Sequence, residues 1–249
     1  MFAPVRVLSE NSAVRVELAR YQDGLVVIKK LRQHSPFMKD RLEREAKVLR
    51  KLKHDHIVPL LFADGDQLVY AYCPGVTLGQ ALEGGPLPIR RSLKIATDIL
   101  KGLEYAHQNG VIHFDVKPDN IIVRGEHALL GDFGFAKDLG LTAITSDNVL
   151  LGTPNYMAPE QFRGERNDPR SDLFSVGAVL YHMVMGQPPY GRQMLQFLVG
   201  DRSVKLEALP KEAQLIADVV YRSLAYLPEH RFPSAADFRQ AITDLSVPV

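Results

Sequence analysis

The chain has 249 residues, 46% of them hydrophobic, which suffices for one sizeable domain with its own core. The formal net charge of +1 excludes the strongly basic surface of a typical nucleic-acid binder. The single cysteine, Cys73, excludes an internal disulfide, and the longest apolar stretch, residues 173–185, is too short to span a membrane. We therefore expect a cytoplasmic protein with no nucleic-acid partner and no membrane segment in this chain.

The first third of the chain is rich in short β-branched runs. Strands are predicted over residues 14–18, 25–31 and 68–72, with turn-forming residues between the first two. One helix is predicted among them, over residues 39–53, because Leu42, Ala46, Leu49 and Leu52 recur at helical spacing. This part should form a small sheet with one main helix.

The pattern changes near Pro74 and Gly75, after which helical periodicity dominates. Helices are predicted over residues 90–109, 170–185, 211–225 and 234–245. Ser234 is a suitable cap for the last of these. The prediction is an α+β fold of one domain over residues 1–249, with a β-rich N-lobe at 1–72, a hinge at 73–76 and a larger, mostly helical C-lobe at 77–249.

Residues 113–134 hold the most informative motif. They read His-Phe-Asp-Val-Lys-Pro-Asp-Asn, then a short apolar strand, then a second strand that leads to Asp-Phe-Gly. The string contains a proton acceptor, Asp115, a cation able to reach a phosphate, Lys117, and two oxygen ligands suited to Mg²⁺, Asn120 and Asp132. Each residue alone would more often be an ordinary loop residue, but together and in this order they predict phosphoryl transfer from a nucleotide.

A second ion pair is predicted in the β-rich part. Lys29 ends an apolar strand, and Glu45 lies on the helix face that carries Leu42 and Leu49. A lysine in such a place is often merely solvated, and Lys30 is the rival candidate. Because successive side chains of a strand point to opposite faces, Lys30 should point away from the helix. We therefore expect Lys29 to pair with Glu45.

These motifs, together with the segment Gly-Thr-Pro-Asn-Tyr-Met-Ala-Pro-Glu at residues 152–160, resemble those of eukaryotic-type serine/threonine protein kinases, especially the bacterial members, over nearly the whole chain. The resemblance implies a bilobal protein-kinase fold, ATP with Mg²⁺ or Mn²⁺, a protein substrate and some autophosphorylation. It implies that Asp115 is the catalytic base and that Thr153 bridges Asp115 and Lys117.

The resemblance also assigns the remaining site residues. The adenine would lie between Val16 and Val27 on one side and Ile122 on the other, with Tyr70 at the gatekeeper position. The implied nucleotide-binding residues are Lys29, Glu45, Val16, Val27, Tyr70, Ala71, Cys73 and Ile122, and the implied metal ligands are Asn120 and Asp132. Other implied features are a structural ion pair Glu160–Arg231, an aspartate that anchors the catalytic loop, Asp172, and a hydrophobic spine of Leu49, Leu60, His113 and Phe133.

The segment expected to be the family's glycine-rich loop, residues 8–16, departs from the pattern. Ser9, Asn11 and Val14 occupy the glycine positions, and Val27 replaces the usual alanine. Glycine lets backbone N–H groups approach phosphates closely, whereas β-branched valine tolerates a left-handed backbone poorly. We therefore predict a raised KM for ATP with the chemistry retained.

Phe114 is a second departure, because most of the family has arginine before the catalytic aspartate. An aromatic ring cannot bind a phosphate on the activation segment through charge-assisted hydrogen bonds. We therefore predict that phosphorylation of Thr142, Thr145 or Ser146 is not the main on-switch.

Three functions stay open at this stage: an active serine/threonine protein kinase, a pseudokinase that serves as a nucleotide-binding scaffold or sensor, and a small-molecule kinase. The intact motif residues argue against the second, and the segment at 152–160 argues against the third. His54 and His56 could suggest a metal pair, but they fit a loop after the predicted helix and we expect no metal there. The substrate, the oligomeric state and any further domains of a longer chain are left undetermined.

Overall fold

The computed structural model describes residues 2–33, 35–139 and 154–245. Its N-terminal part is a five-stranded antiparallel sheet with strand order β1-β2-β3-β5-β4. The strands are β1 (Ala3–Glu10), β2 (Val14–Tyr21), β3 (Gly24–Leu31), β4 (Leu60–Asp64) and β5 (Gln67–Ala71). One long helix, α1 (Pro36–Lys51), lies between β3 and β4 in the chain. A β-rich lobe with one main helix is therefore confirmed.

The two faces of this sheet differ in the residues they carry. Ala19, Val26, Ile28 and Val69 lie on one face and form a small separate core. The opposite face carries Lys29, because cross-strand partners share a face and side chains alternate along each strand. On that second face, the register also places the following residues: Val16, Leu18, Val27, Leu68 and Tyr70.

Helix α1 begins earlier than its apolar periodicity predicts. The Ser35 hydroxyl accepts a hydrogen bond from the backbone N–H of Met38, and Pro36 opens the first turn, where a missing N–H costs nothing. The buried face of the helix includes Leu42, Leu49 and the acidic Glu45. Cap and proline together add three residues to the predicted N-terminal end.

The C-terminal part is mostly helical. Its helices are α2 (Leu78–Leu82), α3 (Ile89–Gln108), α4 (Pro159–Phe162), α5 (Arg170–Met185), α6 (Met194–Leu198), α7 (Ala217–Ser223) and α8 (Ala235–Thr243). Short strands are β6 (Val76–Thr77), β7 (Val111–Ile112), β8 (Ile121–Arg124), β9 (His127–Leu130) and β10 (Lys137–Asp138). Helix α3 packs against α5, α8 and β9, so the large core is built around it.

The predicted helices differ in how closely the structure follows them. Helix α5 has the predicted bounds, and Ser234 caps α8 by accepting from the N–H of Asp237. The predicted helix at 211–225 is instead a 3-10 turn over Lys211–Ile216 followed by α7. Strands β1 and β4 were not predicted. All eight residues of β1 are exposed, so pairing with β2 rather than an apolar face makes it a strand.

The link between the two parts is short. It covers residues 72–75, because β5 ends at Ala71 and β6 already pairs with β8 of the helical part. Within the described ranges, no helix is both long enough and apolar enough to cross a membrane.

Candidate active site

Lys29 connects the two parts of the molecule. Its Nζ lies 2.7 Å from Glu45 Oε2 on α1 and 2.8 Å from Asp132 Oδ1, which follows β9. Burial opposes the charge on this amine, but the two carboxylates outweigh burial and raise the pKa of Lys29. Lys30 pairs with Glu17 on the other face of the sheet, so the choice of Lys29 over Lys30 agrees with the geometry.

Glu45 is held from two sides. Its second oxygen, Oε1, accepts a hydrogen bond of 2.6 Å from the hydroxyl of the buried Tyr70. Burial raises the pKa of Glu45 against the attraction of Lys29, and burial together with Glu45 raises the pKa of Tyr70 well above its ordinary value. The Tyr70 hydroxyl therefore stays protonated and acts as a donor that orients the carboxylate.

Asp172, at the start of α5, anchors the loop that carries Asp115. Its carboxylate is fully buried and accepts backbone hydrogen bonds from His113 at 2.9 Å and Phe114 at 2.8 Å. His107 adds a third bond of 2.8 Å through its Nε2. Burial would raise the pKa of Asp172, but the hydrogen bonds from His107 and from the backbone of His113 lower it, so the carboxylate stays ionised.

Asp115 lies at the centre of a polar cluster on this loop. Lys117 Nζ lies 3.0 and 2.7 Å from its two carboxylate oxygens. The side-chain amide of Asn120 donates to the backbone carbonyl of Asp115 at 2.8 Å and to its Oδ2 at 2.9 Å. The carboxylate is about one-sixth exposed, so a substrate hydroxyl can reach it.

Asn120 and Asp132 suit a hard divalent cation. The Asn120 NH₂ group is used by Asp115, which leaves its amide oxygen as the atom available for a ligand. Asp132 receives Lys29 and the N–H of Gly134 on Oδ1, which leaves Oδ2 as its corresponding atom. The N–H of Gly131 bonds to the Asn120 carbonyl at 2.8 Å, so the two residues are held together. This donor set fits Mg²⁺.

Two non-glycine residues of the site have a left-handed backbone. The φ angle is 62° at Phe114 and 53° at Asp132. Such conformations are uncommon and persist only where neighbouring groups hold them. At Phe114 the holding groups are Asp172 on the N–H and Gln161, whose amide donates to the carbonyl at 2.5 Å. At Asp132 they are Lys29 and Gly134.

Arg41 on α1 is a site residue that the sequence analysis missed. Its Nε donates to the carbonyl of Gly134 at 3.1 Å, and its guanidinium lies 3.6 Å from the centre of the Phe135 ring. Its positive charge also contributes, after Lys29, to the lowered pKa of Asp132. A basic residue on a helix face carries no signal of such a contact, so only the fold reveals it.

The hydrophobic residues implied as a spine pack between the parts. Phe133 is fully buried, and its ring contacts the ring of His113 edge-on at 4.5 Å. The His113 Nε2 lies 3.0 Å from the carbonyl of Gly131, so this ring also connects the loop that carries Asp115 to the strand before Asp132. Leu49 is buried and Leu60 is half-buried.

Phe114 is packed beneath a guanidinium. Arg166 lies 4.9 Å from the centre of the Phe114 ring and donates to the carbonyl of Phe135 at 2.9 Å. Phe114 is buried, so it contributes packing in the place where arginine would contribute charge. Thr142, Thr145, Ser146 and Thr153 lie outside the described residues.

The residues expected around an adenine lie in two places, on the sheet face that carries Lys29 and on β8 beside the link. Val16 and Val27 share the sheet face of Lys29, and Tyr70 is opposite Val27. Ile122 lies on β8 beside the link, since a Cβ placed on Gly75 would come within 3.3 Å of its Cγ2. At the link, the N–H of Ala71 donates to the carbonyl of Pro59. The Cys73 thiol donates weakly to the Ala71 carbonyl, and burial raises the pKa of Cys73.

The loop between β1 and β2 is closed on itself. Asn11 Oδ1 accepts hydrogen bonds from the backbone N–H groups of Ala13 at 2.9 Å and Val14 at 2.8 Å. The carbonyl of Ala13 accepts from the N–H of Arg32 at 2.8 Å, so the loop continues the β2–β3 ladder. Among the described residues, positive φ angles at non-glycine positions lie elsewhere, so this loop is shaped without them.

The implied structural ion pair is present in the helical part. Arg231 donates to both oxygens of Glu160, at 2.6 and 2.7 Å, and both side chains are almost completely buried. The Ser171 hydroxyl adds a bond of 2.7 Å to Glu160. The pair joins α4 to the segment before α8.

The fold and this arrangement of polar groups are those of the protein-kinase class. The family model described as the protein kinase domain matches residues 10–235. The chain therefore belongs to the protein kinase family, and the resemblance inferred from its motifs is confirmed.

The relatives are bacterial serine/threonine kinases. The chain is 34% identical over 218 residues to the serine/threonine-protein kinase PknB of Mycobacterium tuberculosis, covering 80% of this chain and 34% of the relative. It is 30% identical over 240 residues to the probable serine/threonine-protein kinase PknB of Lactococcus lactis, covering 90% of this chain and 38% of the relative. It is 34% identical over 217 residues to the serine/threonine-protein kinase PknH of Mycobacterium bovis, covering 83% of this chain and 36% of the relative. The chain thus spans about a third of the length of the curated relatives it matches.

Proposed function

We propose that this chain transfers the γ-phosphoryl group of ATP to serine or threonine hydroxyls of protein substrates, itself included. The observation that carries the proposal is the contact of Lys29 with both Glu45 and Asp132. This contact joins α1, the sheet and the residue after β9 in one polar cluster, as phosphoryl transfer requires of the groups that bind phosphates. The names of the relatives support serine/threonine specificity.

In the proposed mechanism, the substrate hydroxyl donates to Asp115, which orients it towards the γ-phosphorus. As the new bond to the hydroxyl oxygen forms, the bond from the γ-phosphorus to the bridging oxygen of ADP breaks, and the hydroxyl proton passes to Asp115. Lys117, already in contact with Asp115, holds a γ-phosphate oxygen, and Lys29 holds phosphates nearer the adenosine. Thr153 is proposed to bridge Asp115 and Lys117.

Asn120 and Asp132 are proposed to hold Mg²⁺, or Mn²⁺ in its place. A divalent ion there would neutralise charge on the phosphates. Val16, Val27, Ile122, Ala71 and Cys73 are proposed to surround the adenine, with Tyr70 at its inner edge. The proposed hinge at 73–76 overlaps the link at 72–75, within one proposed kinase domain over residues 1–249. A cytoplasmic location is part of the proposal, because ATP and a free thiol both suit that compartment.

Labelling with ATP that carries a labelled γ-phosphate tests the function. The purified chain, Mg²⁺ and a general protein substrate should give labelled phosphoserine or phosphothreonine. Asp115→Asn should lower the rate by about 10²–10⁴-fold, because the proton acceptor is lost. Asp119→Asn, the same substitution at an exposed position of the same loop, should retain the rate.

Two results would contradict the proposal. Binding of ATP and Mg²⁺ without any transfer would make the chain a pseudokinase. Label that appears only in a small molecule would make it a kinase of another substrate class. The pseudokinase alternative gains no support from the site, because Lys29 contacts both Glu45 and Asp132, and Asn120 contacts Asp115.

A further inference from the structure

We propose that His56, Asp98 and His127 form a zinc site on the helical part, separate from the residues proposed to bind ATP and Mg²⁺. The proposal differs from the expectation for the pair His54 and His56, because His56 here binds with Asp98 and His127 rather than with His54. The three residues, named here the His-Asp-His cluster, come from the loop after α1, from the middle of α3 and from the start of β9. One ligand atom of each lies within 4.8 Å of the other two. His56 Nε2 is 3.5 Å from Asp98 Oδ1, and His127 Nδ1 is 3.6 Å from Asp98 Oδ2.

The ring of His56 is oriented as a metal ligand. Its Nδ1 lies 2.9 Å from the carbonyl of Ala128, which can only accept, so Nδ1 carries the hydrogen and donates. Nε2 then presents a lone pair towards the carboxylate of Asp98. Metal-binding histidines have this arrangement, because a carbonyl on one ring nitrogen sets the tautomer for the other.

Asp98 is an acidic ligand whose position in the cluster is fixed by burial. Its side chain is fully buried on α3, and the N–H of Ala128 donates to its Oδ2 at 3.3 Å. The lone pair of His56 and the carboxylate of Asp98 are both acceptors at short range, so a cation between them removes a repulsion. His127 is half exposed and provides the path by which an ion would enter.

Two lysines compete for the same carboxylate. Lys94 Nζ lies 2.7 Å from both oxygens of Asp98, and Lys101 Nζ lies 3.4 Å from Oδ1. Their side chains are 43% and 40% exposed, so either can turn into solvent when an ion binds. Ion pairs of long, exposed chains contribute little, whereas zinc bound by two imidazoles and a carboxylate is held strongly.

The ligand types select the metal. Two imidazole nitrogens and one carboxylate oxygen suit Zn²⁺ with water in the fourth position. Mg²⁺ prefers six oxygen ligands, so the cluster should not compete for the ion expected at Asn120 and Asp132. The two kinds of site can therefore be measured separately in one sample.

Zinc here would clamp the loop that follows α1. The loop already approaches α3 closely, since a Cβ placed on Gly102 would lie 2.9 Å from the carbonyl of His56. Backbone bonds of 2.9 Å join His56 and Val58 to Leu130, two residues before Asp132. An ion shared by the loop, α3 and β9 would make this junction harder to separate.

Titration of the metal-stripped chain with zinc chloride in excess Mg²⁺ tests the proposal. Competition with a chromophoric chelator should report one zinc ion per chain, and the Tm should rise on binding. His127→Ala should weaken this binding at least tenfold, because one of three ligands is lost. His230→Ala, which removes another exposed histidine, should leave the affinity unchanged.

A second variant, Lys94→Gln, tests the competition between lysine and zinc for the Asp98 carboxylate. Loss of the competing ammonium should tighten zinc binding at least threefold. The proposal is overturned if wild-type protein binds no zinc, if His127→Ala binds as tightly as wild type, or if Lys94→Gln leaves the affinity unchanged. His127 is the half-exposed first residue of β9, so its variant should fold and keep the test decisive.

Discussion

Among single residues, Asn11 gives a structural reason for the raised KM for ATP that we predict. Its side chain occupies the two backbone N–H groups, of Ala13 and Val14, that a phosphate would need at the tip of the loop. Asn11→Gly should free both groups and lower the KM for ATP about threefold to tenfold, since each hydrogen bond is worth about 1 kcal/mol. Steady-state kinetics at varied ATP measure this.

The control for this prediction is the adjacent residue. Ser12→Gly adds similar chain flexibility but leaves the Asn11 bonds in place, so its KM should match wild type. Equal KM values for Asn11→Gly and wild type would show that the closed loop is not what limits ATP binding.

Asp132 makes stability depend on pH in the acid range. Lys29 holds the pKa of Asp132 well below its ordinary value, against burial, so the folded state binds its proton less readily than the unfolded state does. The resulting stabilisation is complete above about pH 4 and is lost as the pH falls towards the folded pKa. Asp132→Asn lacks this contribution.

The difference in unfolding free energy between wild type and Asp132→Asn should therefore be larger at pH 6 than at pH 3.5. Urea unfolding at the two pH values measures both differences. A difference that does not change with pH would mean that Asp132 is not stabilised in its ionised form.

At the scale of elements, Arg41 couples helix α1 to the strand end that carries Asp132. It bonds to Gly134 and stacks on Phe135, and the same helix carries Glu45. Arg41→Ala should let α1 shift away from Lys29 and lower kcat/KM for a protein substrate about tenfold, with little loss of Tm. Arg41→Lys should restore little, because a lysine lacks the planar group that stacks.

Arg50→Ala is the matched control on the same helix. Arg50 lies at an exposed position in the last turn of α1, so this variant removes the same charge without the contact of Arg41. Its kcat/KM should stay near the wild-type value. Equal losses for the two alanine variants would attribute the effect to charge on α1 rather than to the contact of Arg41.

The loop around Asp115 is assembled by contacts that need no phosphate. Asp172 and Gln161 hold the backbone of Phe114, and Arg166 covers its ring. We predict that simultaneous alanine substitution of Thr142, Thr145 and Ser146, which lie outside the described residues, leaves at least half of the activity. Protein phosphorylation rates of the dephosphorylated wild type and of the triple variant measure this, and loss of activity with an intact fold would contradict it.

At the scale of the whole molecule, the buried pair Glu160–Arg231 holds the helical part together. Arg231→Leu should lower the free energy of unfolding by about 3–5 kcal/mol, because it leaves the buried Glu160 carboxylate without its partner. Adding Glu160→Gln to that variant should recover part of the loss. Denaturant unfolding of the three proteins measures this, and a double variant no more stable than Arg231→Leu would argue against an unpaired charge as the cause.

The sequence alone identified the residues whose role can be inferred from their order and spacing along the chain. Three features could be predicted in this way, because spacing along the chain directly indicates chemistry and burial. They are the motif from His113 to Asn120, the Asp-Phe-Gly triplet after a strand and the helix at Arg170–Met185. The family, the α+β fold and the choice of Lys29 over Lys30 follow from such patterns.

Tertiary structure alone decided which distant groups meet. Lys29 and Asp132 are 103 positions apart, and neither the stacking of Arg41 on Phe135 nor the His-Asp-His cluster leaves a periodic signal in the chain. Strand β1 exists because β2 pairs with it, although every residue of β1 is exposed. Periodicity shows that a face is buried but not what it is buried against, because that partner is selected by packing of the whole chain.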